Sequence, residues 1–286
     1  MKVFAPVETG DGSSTFYSEA FGERFHSREG ACNEAQKTYV EASNLAERAT
    51  EKRLKILDIC YGLGYNTAAA LETIWQVNPA CLVEIEALEI DVTVAKSAIA
   101  QNLTKRYKPI VQTVLQQLAA EQTVQRPTLS ANLRLGDARQ TIQALRQKSW
   151  QADVIFLDPF SPPHCPQLWT VEFLQQVAQC LSPSTGVLVT YSCAAAVRTA
   201  LKQAGLFIGS TRAGGRKWPG TIARYHDAAG LPPLSLQEQE HLQTRAAVPY
   251  EDPTLCASAQ EILELRSQQQ RVSNLLPTAP WRRRWK

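Results

Sequence analysis

The middle of the chain alternates short apolar runs with longer amphipathic stretches. Runs rich in Val, Ile and Leu predict buried strands, and apolar residues spaced three or four apart predict helices. The predicted strands cover 54–60, 82–90, 132–135, 152–157, 186–191, 206–210 and 221–226, and the predicted helices cover 66–77, 92–103, 139–146, 169–181 and 194–204. This alternation is typical of parallel βαβ units that cover both faces of a sheet. We therefore predict an α/β fold with a Rossmann-like, mostly parallel, doubly wound sheet.

The first fifty residues do not follow this alternation. Apolar and polar residues alternate loosely around Gly22 over 15–25, which predicts a short hairpin. Helical spacing follows over 31–48. We interpret 1–50 as an N-terminal appendage, a hairpin plus a helix, that packs on the central domain.

Two further segments depart from the alternating pattern. Residues 104–130 are rich in Gln and Leu, and we predict that they form a helical insertion before the third strand. After a proline-containing linker, two Gln- and Glu-rich stretches at 236–245 and 257–271 predict helices. We therefore assign 51–230 to the Rossmann-like domain and 231–286 to a C-terminal helical extension with a basic tail.

Composition narrows the class of protein. Of 286 residues, 44% are hydrophobic and 20% are charged, which is ordinary for a folded chain with its own core. Seven cysteines without zinc-ligand spacing indicate free thiols in a reducing compartment, and we expect no metal site. No apolar stretch approaches the ~18 residues of a membrane span, and residues 1–12 contain no leader or lipidation motif, so we expect a cytoplasmic protein without membrane contact. The net charge of +3 permits a polyanionic partner without requiring one.

A glycine-rich turn joins the first strand of the central domain to the next helix. It runs from Asp58 through Gly62 and Gly64 to Asn66. Glycines let the backbone approach a ligand closely, and a helix start presents free N–H groups. Dinucleotide loops normally have a third glycine, where this chain has Thr67, and the carboxylate of Asp58 suits a cationic ligand better than a pyrophosphate. The turn therefore predicts a cofactor site, with a glycine turn that binds nothing as the alternative.

Acidic residues also end the next two strands. Glu89 ends the second strand, where a carboxylate can accept both ribose hydroxyls, and Asp91 suits a cap of the following helix. Asp137 follows the third strand, where it either accepts from an adenine amino group or caps a helix. Together with Asp58, these carboxylates lie on the sheet edge where open α/β sheets bind ligands. The combination favours S-adenosylmethionine over NAD as the cofactor.

The fourth strand delivers a carboxylate and an aromatic ring to the same edge. Asp158 follows the apolar run 154–157, and the prolines of the sequence Pro-Phe-Ser-Pro-Pro at 159–163 stiffen the loop after it. Phe160 lies within this loop, where it either borders a ligand or packs in the core. We favour a functional role for both residues, because this loop would face the methyl group of the cofactor.

Several blocks occur in order between residues 15 and 225. They are His-Ser-Arg-Glu-Gly-Ala at 26–31 with Glu34, Tyr-Gly-Leu-Gly-Tyr-Asn at 61–66, Asp-Pro-Phe-Ser-Pro at 158–162, Pro-Gln-Leu-Trp-Thr at 166–170, Thr-Tyr-Ser at 190–192, Val-Arg at 197–198 and Gly-Gly-Arg-Lys at 214–217. In this order they resemble the methyltransferase domain of MnmC-type tRNA-modifying enzymes, which have a class I S-adenosylmethionine-dependent methyltransferase fold. The chain differs at His164-Cys165, where the family often has Lys-Asn. Substrate contacts carried by those two positions are therefore not transferred.

The resemblance implies a specific reaction. It is methyl transfer from S-adenosylmethionine to the amine of 5-aminomethyl(-2-thio)uridine at the wobble position of tRNA, giving 5-methylaminomethyl(-2-thio)uridine. The partners implied are the tRNA anticodon stem-loop and, functionally, the enzymes that install the aminomethyl group. No FAD-dependent oxidase domain is expected within these 286 residues. Carried over by position, the cofactor would be held by Asp58, Gly62, Gly64, Asn66, Glu89 and Asp137, the catalytic residue would be Asp158, and the substrate would contact Phe160, Ser161, Pro162, Arg216 and Lys217.

The reaction needs a neutral amine, and a free alkylamine is mostly protonated at neutral pH. We expect Asp158 to orient the amine while its proton leaves to water, because an ordinary aspartate is too acidic to act as a base. Burial of Asp158 would raise its pKa and make the base role possible.

Contacts to RNA have weaker support in the sequence. Arg282, Arg283 and Arg284, between Trp281 and Trp285, predict either a grip on RNA by charge and stacking or a frayed terminus. Two other functions remain open, a transferase that acts on a small-molecule amine, as polyamine synthases do, and a non-catalytic RNA-binding module.

Overall fold

The computed structural model describes residues 4–211, 218–226 and 230–285. The strands, numbered in chain order, are β1 (Val7–Glu8), β2 (Ser14–Thr15), β3 (Tyr17–Ser18), β4 (Glu23–Arg24), β5 (Arg53–Ile59), β6 (Leu82–Glu89), β7 (Thr123–Arg126), β8 (Leu129–Leu135), β9 (Val154–Leu157), β10 (Val187–Thr190), β11 (Phe207–Ser210) and β12 (Thr221–Arg224). The α-helices are α1 (Ala31–Glu34), α2 (Leu45–Arg48), α3 (Tyr65–Val77), α4 (Val92–Ala100), α5 (Pro109–Glu121), α6 (Ala138–Gln147), α7 (Val171–Gln179), α8 (Ala195–Gln203), α9 (Leu236–His241), α10 (Ala259–Val272) and α11 (Thr278–Arg284).

An eight-stranded sheet forms the centre of the molecule. Its strand order is β11-β12-β10-β9-β5-β6-β8-β7. The five strands from β10 to β8 run parallel, whereas β12 is antiparallel to both of its neighbours and β7 is antiparallel to β8. The predicted α/β class with a mostly parallel, doubly wound sheet is confirmed.

Both faces of the sheet are covered, and strand β5 shows why the chain folds this way. Leu54 and Ile56 belong to a core cluster on one face, while Leu57 and Ile59 belong to a second cluster on the other. Because successive side chains of a strand point to opposite faces, a run of apolar residues requires cover on both sides. Because the five central strands are parallel, their carboxyl ends lie at one edge of the sheet, where the predicted ligand-binding residues lie.

The N-terminal segment contains the predicted hairpin and a helix that is less regular than predicted. Strands β3 and β4 pair antiparallel around Gly22, whose φ is +65°. The stretch predicted as one helix, 31–48, consists of α1, a π-helix at Ala35–Glu41 and α2. The Ser43 hydroxyl donates to the Tyr39 and Val40 carbonyls, and Asn44 adopts a left-handed conformation with φ 53°. Such side-chain bonds compete with the regular helical pattern and end the first part of the helix.

The insertion at 104–130 is only partly helical, which corrects the prediction. Helix α5 ends at Glu121, its C-cap residue Gln122 has a φ of 63°, and β7 follows directly. Val124 in β7 is buried, and the strand pairs with β8, which begins at Leu129. Pairing at the free edge of the sheet thus overrides the helical composition of the segment.

The C-terminal segment packs on the central part through several helices. Helices α9 and α10 begin with capping boxes built on Ser235 and Ser258. The basic tail, for which the sequence left a frayed terminus open, forms helix α11. No helix in the described part of the chain is long and apolar enough to cross a membrane. The three-part division at residues 50 and 230 stays a prediction.

Candidate active site

A pocket of about 510 Å³ opens at the carboxyl ends of the parallel strands. Its size falls in the ~300–1,000 Å³ range of small-molecule and cofactor sites. The glycine loop after β5, the ends of β6 and β8, the loop after β9 and the β3–β4 hairpin contribute its walls. The N-terminal segment is therefore part of the site.

The glycine loop begins α3 and forms the floor of the pocket. Gly62 and Gly64 have φ values of +55° and +85°, a region that residues with a side chain rarely adopt. A Cβ atom at Gly64 would lie 2.6 Å from the Tyr61 hydroxyl. The backbone N–H of Gly62 donates to Glu89 at 2.7 Å. The loop is thus held in one conformation against the end of β6.

Asp58 lies beneath this loop and does not line the pocket. It is fully buried, and the Thr67 hydroxyl donates to its Oδ2 atom at 2.7 Å. Burial raises the pKa of Asp58 to about 7, although the Thr67 hydrogen bond opposes this rise. Thr67 occupies the third-glycine position of a dinucleotide loop, and its hydroxyl explains why a threonine fits there.

Glu89 is buried at the end of β6 and faces the pocket. Besides the Gly62 bond, its Oε1 accepts from the backbone N–H groups of Ile90 and Asp91. Burial raises the pKa of Glu89, while these three N–H groups lower it. A carboxylate has about four acceptor positions, so Oε2 keeps room for a further donor. Asp91 caps α4 through Thr93, as predicted.

Asp137 both caps a helix and lines the pocket. Its Oδ1 accepts from the backbone N–H of Arg139 at 2.9 Å, which caps α6. The Arg139 guanidinium also pairs with Asp137, at 2.7 Å between Nη2 and Oδ2, and itself lines the pocket. The helix-cap reading of Asp137 is therefore realised, and its position leaves the adenine contact open.

Asp158 lies in the pocket beside the start of α3. The side-chain amide of Asn66 donates to its Oδ2 atom at 2.9 Å. Burial and the nearby carboxylate of Glu34 raise the pKa of Asp158 well above its ordinary value, while bonds such as that from Asn66 lower it. This carboxylate is therefore less acidic than an ordinary aspartate, and its role as a base stays a prediction.

The loop after Asp158 is fixed by bonds from three directions. The Tyr191 hydroxyl donates to the Pro159 carbonyl at 2.9 Å, and the Trp169 indole donates to the Phe160 carbonyl at 2.8 Å. Glu23 in β4 accepts from the backbone N–H of Ser161 at 2.9 Å and from its hydroxyl. The prolines stiffen this loop, but these bonds set its position.

The ring of Phe160 faces other aromatic rings in the pocket wall. It stacks on Phe21 with centroids 4.4 Å apart and meets Phe25 edge-on at 4.9 Å. Both partners come from the hairpin that the sequence placed in an appendage. Phe160 therefore packs in an aromatic cluster and also lines the pocket, and its contact with a ligand stays a prediction.

The pocket gathers most of the predicted residues. Those that line it are Gly62, Asn66, Glu89, Asp137, Asp158, Phe160 and Ser161, whereas Asp58, Gly64 and Pro162 lie outside its lining. Arg216 and Lys217 lie outside the described residues. Sequence reasoning missed Phe21, Glu23, Phe25, Arg139 and Tyr191, although the aromatic residues of the predicted hairpin were a usable signal.

The tryptophans of the basic tail contact residues of α9. Trp281 stacks on His241 at 3.9 Å, and its indole donates to the Gln237 carbonyl. The Trp285 indole donates to Glu240, which also pairs with Arg284. The frayed-terminus alternative is therefore wrong, because these contacts with α9 hold the tail as a helix, and the contact of its exposed arginines with RNA stays a prediction.

One unpaired acceptor in the pocket wall fits a donor group of S-adenosylmethionine. Within the described ranges, the buried Oδ1 atom of Asn66 has no hydrogen-bond partner. A buried acceptor of this kind needs a donor, such as the ammonium of an amino acid. No cluster of three or more His, Cys, Asp or Glu side chains in the same ranges is arranged to hold a metal ion.

Comparisons with known proteins agree with this geometry. A family model described as S-adenosyl-L-methionine-dependent methyltransferase matches residues 101–226. An uncharacterized protein of Methanocaldococcus jannaschii is 30% identical over 275 residues, which are 92% of this chain and 71% of that protein. The tRNA 5-methylaminomethyl-2-thiouridine biosynthesis bifunctional protein MnmC of Acidovorax is 30% identical over 205 residues, 67% of this chain and 31% of that protein.

The crystal structure of MnmC2 from Aquifex aeolicus superposes with a TM-score of 0.82 at 32% sequence identity, over 95% of this chain and 86% of MnmC2. The chain spans about a third of the length of the bifunctional MnmC relatives that it matches. The cofactor of this protein is S-adenosyl-L-methionine. The chain belongs to the family of S-adenosyl-L-methionine-dependent methyltransferases that contains MnmC2 and is related to the MnmC proteins.

Proposed function

We propose that this protein methylates the amine of 5-aminomethyl(-2-thio)uridine at the tRNA wobble position. The observation that carries the proposal is the position of Asp158, a carboxylate that lines a cofactor-sized pocket with an aromatic wall. The names of the MnmC relatives support the nucleoside class.

The residues around the glycine loop are proposed to hold the cofactor. Glu89 would accept from the ribose hydroxyls through the remaining capacity of Oε2, and Asp137 would accept from the adenine amino group. Asn66 would accept from the ammonium of the methionine part through Oδ1. Asp58 supports the loop from below through Thr67, since it does not reach the pocket.

S-adenosylmethionine supplies an electrophilic methyl group when it is bound. The chain's own residues must present the amine with a free lone pair. Asp158 would accept a hydrogen bond from the amine and then its proton, which passes to water after the transfer. Because burial and Glu34 raise the pKa of Asp158, its basicity is closer to that of the amine, and the base role now adds to the orienting role.

The aromatic wall is proposed to bind the uracil ring. Bases taken out of a stack are commonly held on aromatic side chains. Phe21, Phe25 and Phe160 offer such a surface in the wall of the pocket. Ser161 continues this wall, whereas Pro162 lies outside the pocket lining and stays a proposed substrate contact, together with Arg216 and Lys217. A 5-aminomethyl group on a ring bound there would point toward Asp158.

The test is a transfer assay on defined RNA. The protein is incubated with labelled S-adenosylmethionine and tRNA from cells that lack the gene, and the digested nucleosides are identified. Conversion of 5-aminomethyl(-2-thio)uridine to its N-methyl form supports the proposal. Unlabelled tRNA with intact cofactor binding overturns it, and labelling of free polyamines in parallel reactions would indicate a small-molecule amine instead.

Asp158→Asn tests the role of the carboxylate. We expect turnover to fall by about 10²–10⁴-fold, the usual contribution of a positioned proton acceptor, with little change in S-adenosylmethionine affinity by calorimetry. Asp153→Asn is the matched control, since Asp153 lies at the opposite end of the same strand and bonds the Lys55 backbone. Loss of cofactor affinity in Asp158→Asn would make Asp158 a cofactor ligand.

A further inference from the structure

One buried carboxylate of the C-terminal segment, that of Asp252, binds a residue that lines the pocket. The chain enters this region beside α7, where the backbone carbonyl of Tyr250 accepts from the backbone N–H of Val171 at 2.9 Å. Asp252 follows, and only 1% of its surface is exposed. Its backbone N–H donates to Glu172 in α7 at 2.7 Å. The turn that carries Asp252 is therefore anchored on the central part of the molecule.

The two oxygens of Asp252 have different partners. Oδ1 accepts from the backbone N–H groups of Cys256 and Ala257, both at 3.2 Å, and so closes the turn before α10. Oδ2 accepts from Nη1 of Arg139 at 2.8 Å. Oδ1 thus stabilises the turn, and Oδ2 forms an ion pair with Arg139, which lines the pocket.

Arg139 is held between two carboxylates. Its Nε and Nη2 atoms bond Asp137, and Nη1 bonds Asp252 and the Ala257 carbonyl at 2.9 Å. The Arg139 side chain is 11% exposed, and Asp137 and Arg139 both line the pocket whereas Asp252 does not. Fixing both ends of a planar guanidinium also fixes the carboxylate that it faces.

We propose that Asp252 is a positioning residue for cofactor binding, which acts through Arg139 to orient Asp137 toward the adenine end of the pocket. The proposal rests on the proposed role of Asp137. It makes the C-terminal segment a working part of the cofactor site. Asp137, Arg139 and Asp252 together carry a net negative charge. Such a cluster favours a ligand group that donates a hydrogen bond, such as the adenine amino group, over a ring carbonyl, which accepts one.

Asp252→Asn separates these effects. An asparagine keeps an oxygen for the Cys256 and Ala257 N–H groups and removes the charge from Arg139. We expect the Kd of S-adenosylmethionine to rise by roughly tenfold, the size of one charge-assisted hydrogen bond, with kcat at saturating cofactor within about twofold of the original. We also expect a smaller preference for S-adenosylhomocysteine over S-inosylhomocysteine, in which a carbonyl replaces the amino group.

Glu238→Gln is the matched control. Glu238 in α9 pairs with the buried Arg198 at 2.6 Å, so it too joins the C-terminal segment to the central part by an ion pair, but neither residue lines the pocket. This variant should lose stability in urea without any change in the adenine preference. An equal loss of preference in both variants, or an unchanged Kd in Asp252→Asn, overturns the proposal.

Asp137→Asn distinguishes the positioning role of Asp252 from the proposed cofactor contact of Asp137. If Asp137→Asn weakens cofactor binding and Asp252→Asn does not, the positioning role fails while the proposed cofactor contact stands. If neither variant changes binding, the proposed role of Asp137 fails as well. Methyl transfer to tRNA by the unaltered protein is measured separately and decides the proposed reaction independently.

Discussion

Asp58 makes the folding stability of this protein dependent on pH in an unusual direction. Its pKa is raised from 3.8 to about 7 by complete burial. In the unfolded chain the carboxyl ionises near 3.8, whereas in the folded protein it stays protonated until about pH 7. Between these values the folded state binds more protons, so its contribution to stability is present at low pH and is lost as the pH rises.

The size of the effect follows from the two pKa values. One unit of pKa shift corresponds to about 1.4 kcal/mol, and integration from pH 5 to pH 8 gives a loss of about 3 kcal/mol from this group. Asp58→Asn removes the ionisation and imitates the protonated acid, because an amide oxygen still accepts from Thr67. We compare the free energies of unfolding of the variant and the original protein. Between pH 5 and pH 8 their difference should change by about 3 kcal/mol in favour of the variant.

Urea denaturation without cofactor measures this difference. The free energy of unfolding of both proteins is determined at pH 5 and pH 8, so that the other titrating groups cancel in the comparison. Thr67→Val serves as a second variant, since loss of the hydroxyl should raise the pKa of Asp58 further and steepen the pH dependence. Parallel pH profiles for the original protein and Asp58→Asn would refute the reasoning, because Asp58 would then be ionised in the fold.

Three further predictions concern the loop, the aromatic wall and the tail. Gly64→Ala should cost about 1–2 kcal/mol of stability for the left-handed backbone, and should weaken cofactor binding by calorimetry because the new methyl group displaces Tyr61. Phe21→Ala should raise the KM for tRNA by about tenfold, within the range of one lost base-stacking contact, and leave the Kd of S-adenosylmethionine unchanged; a change in both would place the ring at the cofactor. Burial lowers the pKa of His241 to about 4, and the charges of Arg198 and Arg282 contribute to this shift. Trp281→Ala removes the stacked ring, so the pKa of His241 should move toward 6.5 in an NMR titration. An unchanged pKa would show that the Trp281 ring does not cause the burial of His241.

The strands of the sheet were predictable because each is a continuous apolar run that must be covered on both faces. Leu54, Ile56, Leu57 and Ile59 illustrate this, since local sequence alone requires two packed faces around β5. The segment with β7 was not predictable from its composition. Its strand exists because β8 offers a free edge, and that edge is a property of the assembled sheet.

The sequence by itself determined the fold class, the glycine loop and the acidic residues at the ends of three parallel strands, because parallel strands bring their carboxyl ends to one edge whatever lies between them. Only the tertiary structure decided what surrounds those residues. Asp58 turns out to lie under the loop, and Phe160 meets the rings of a hairpin more than a hundred positions earlier in the chain. The link from Asp252 through Arg139 joins residues 113 positions apart. Such contacts depend on how whole elements pack, and local periodicity does not encode them.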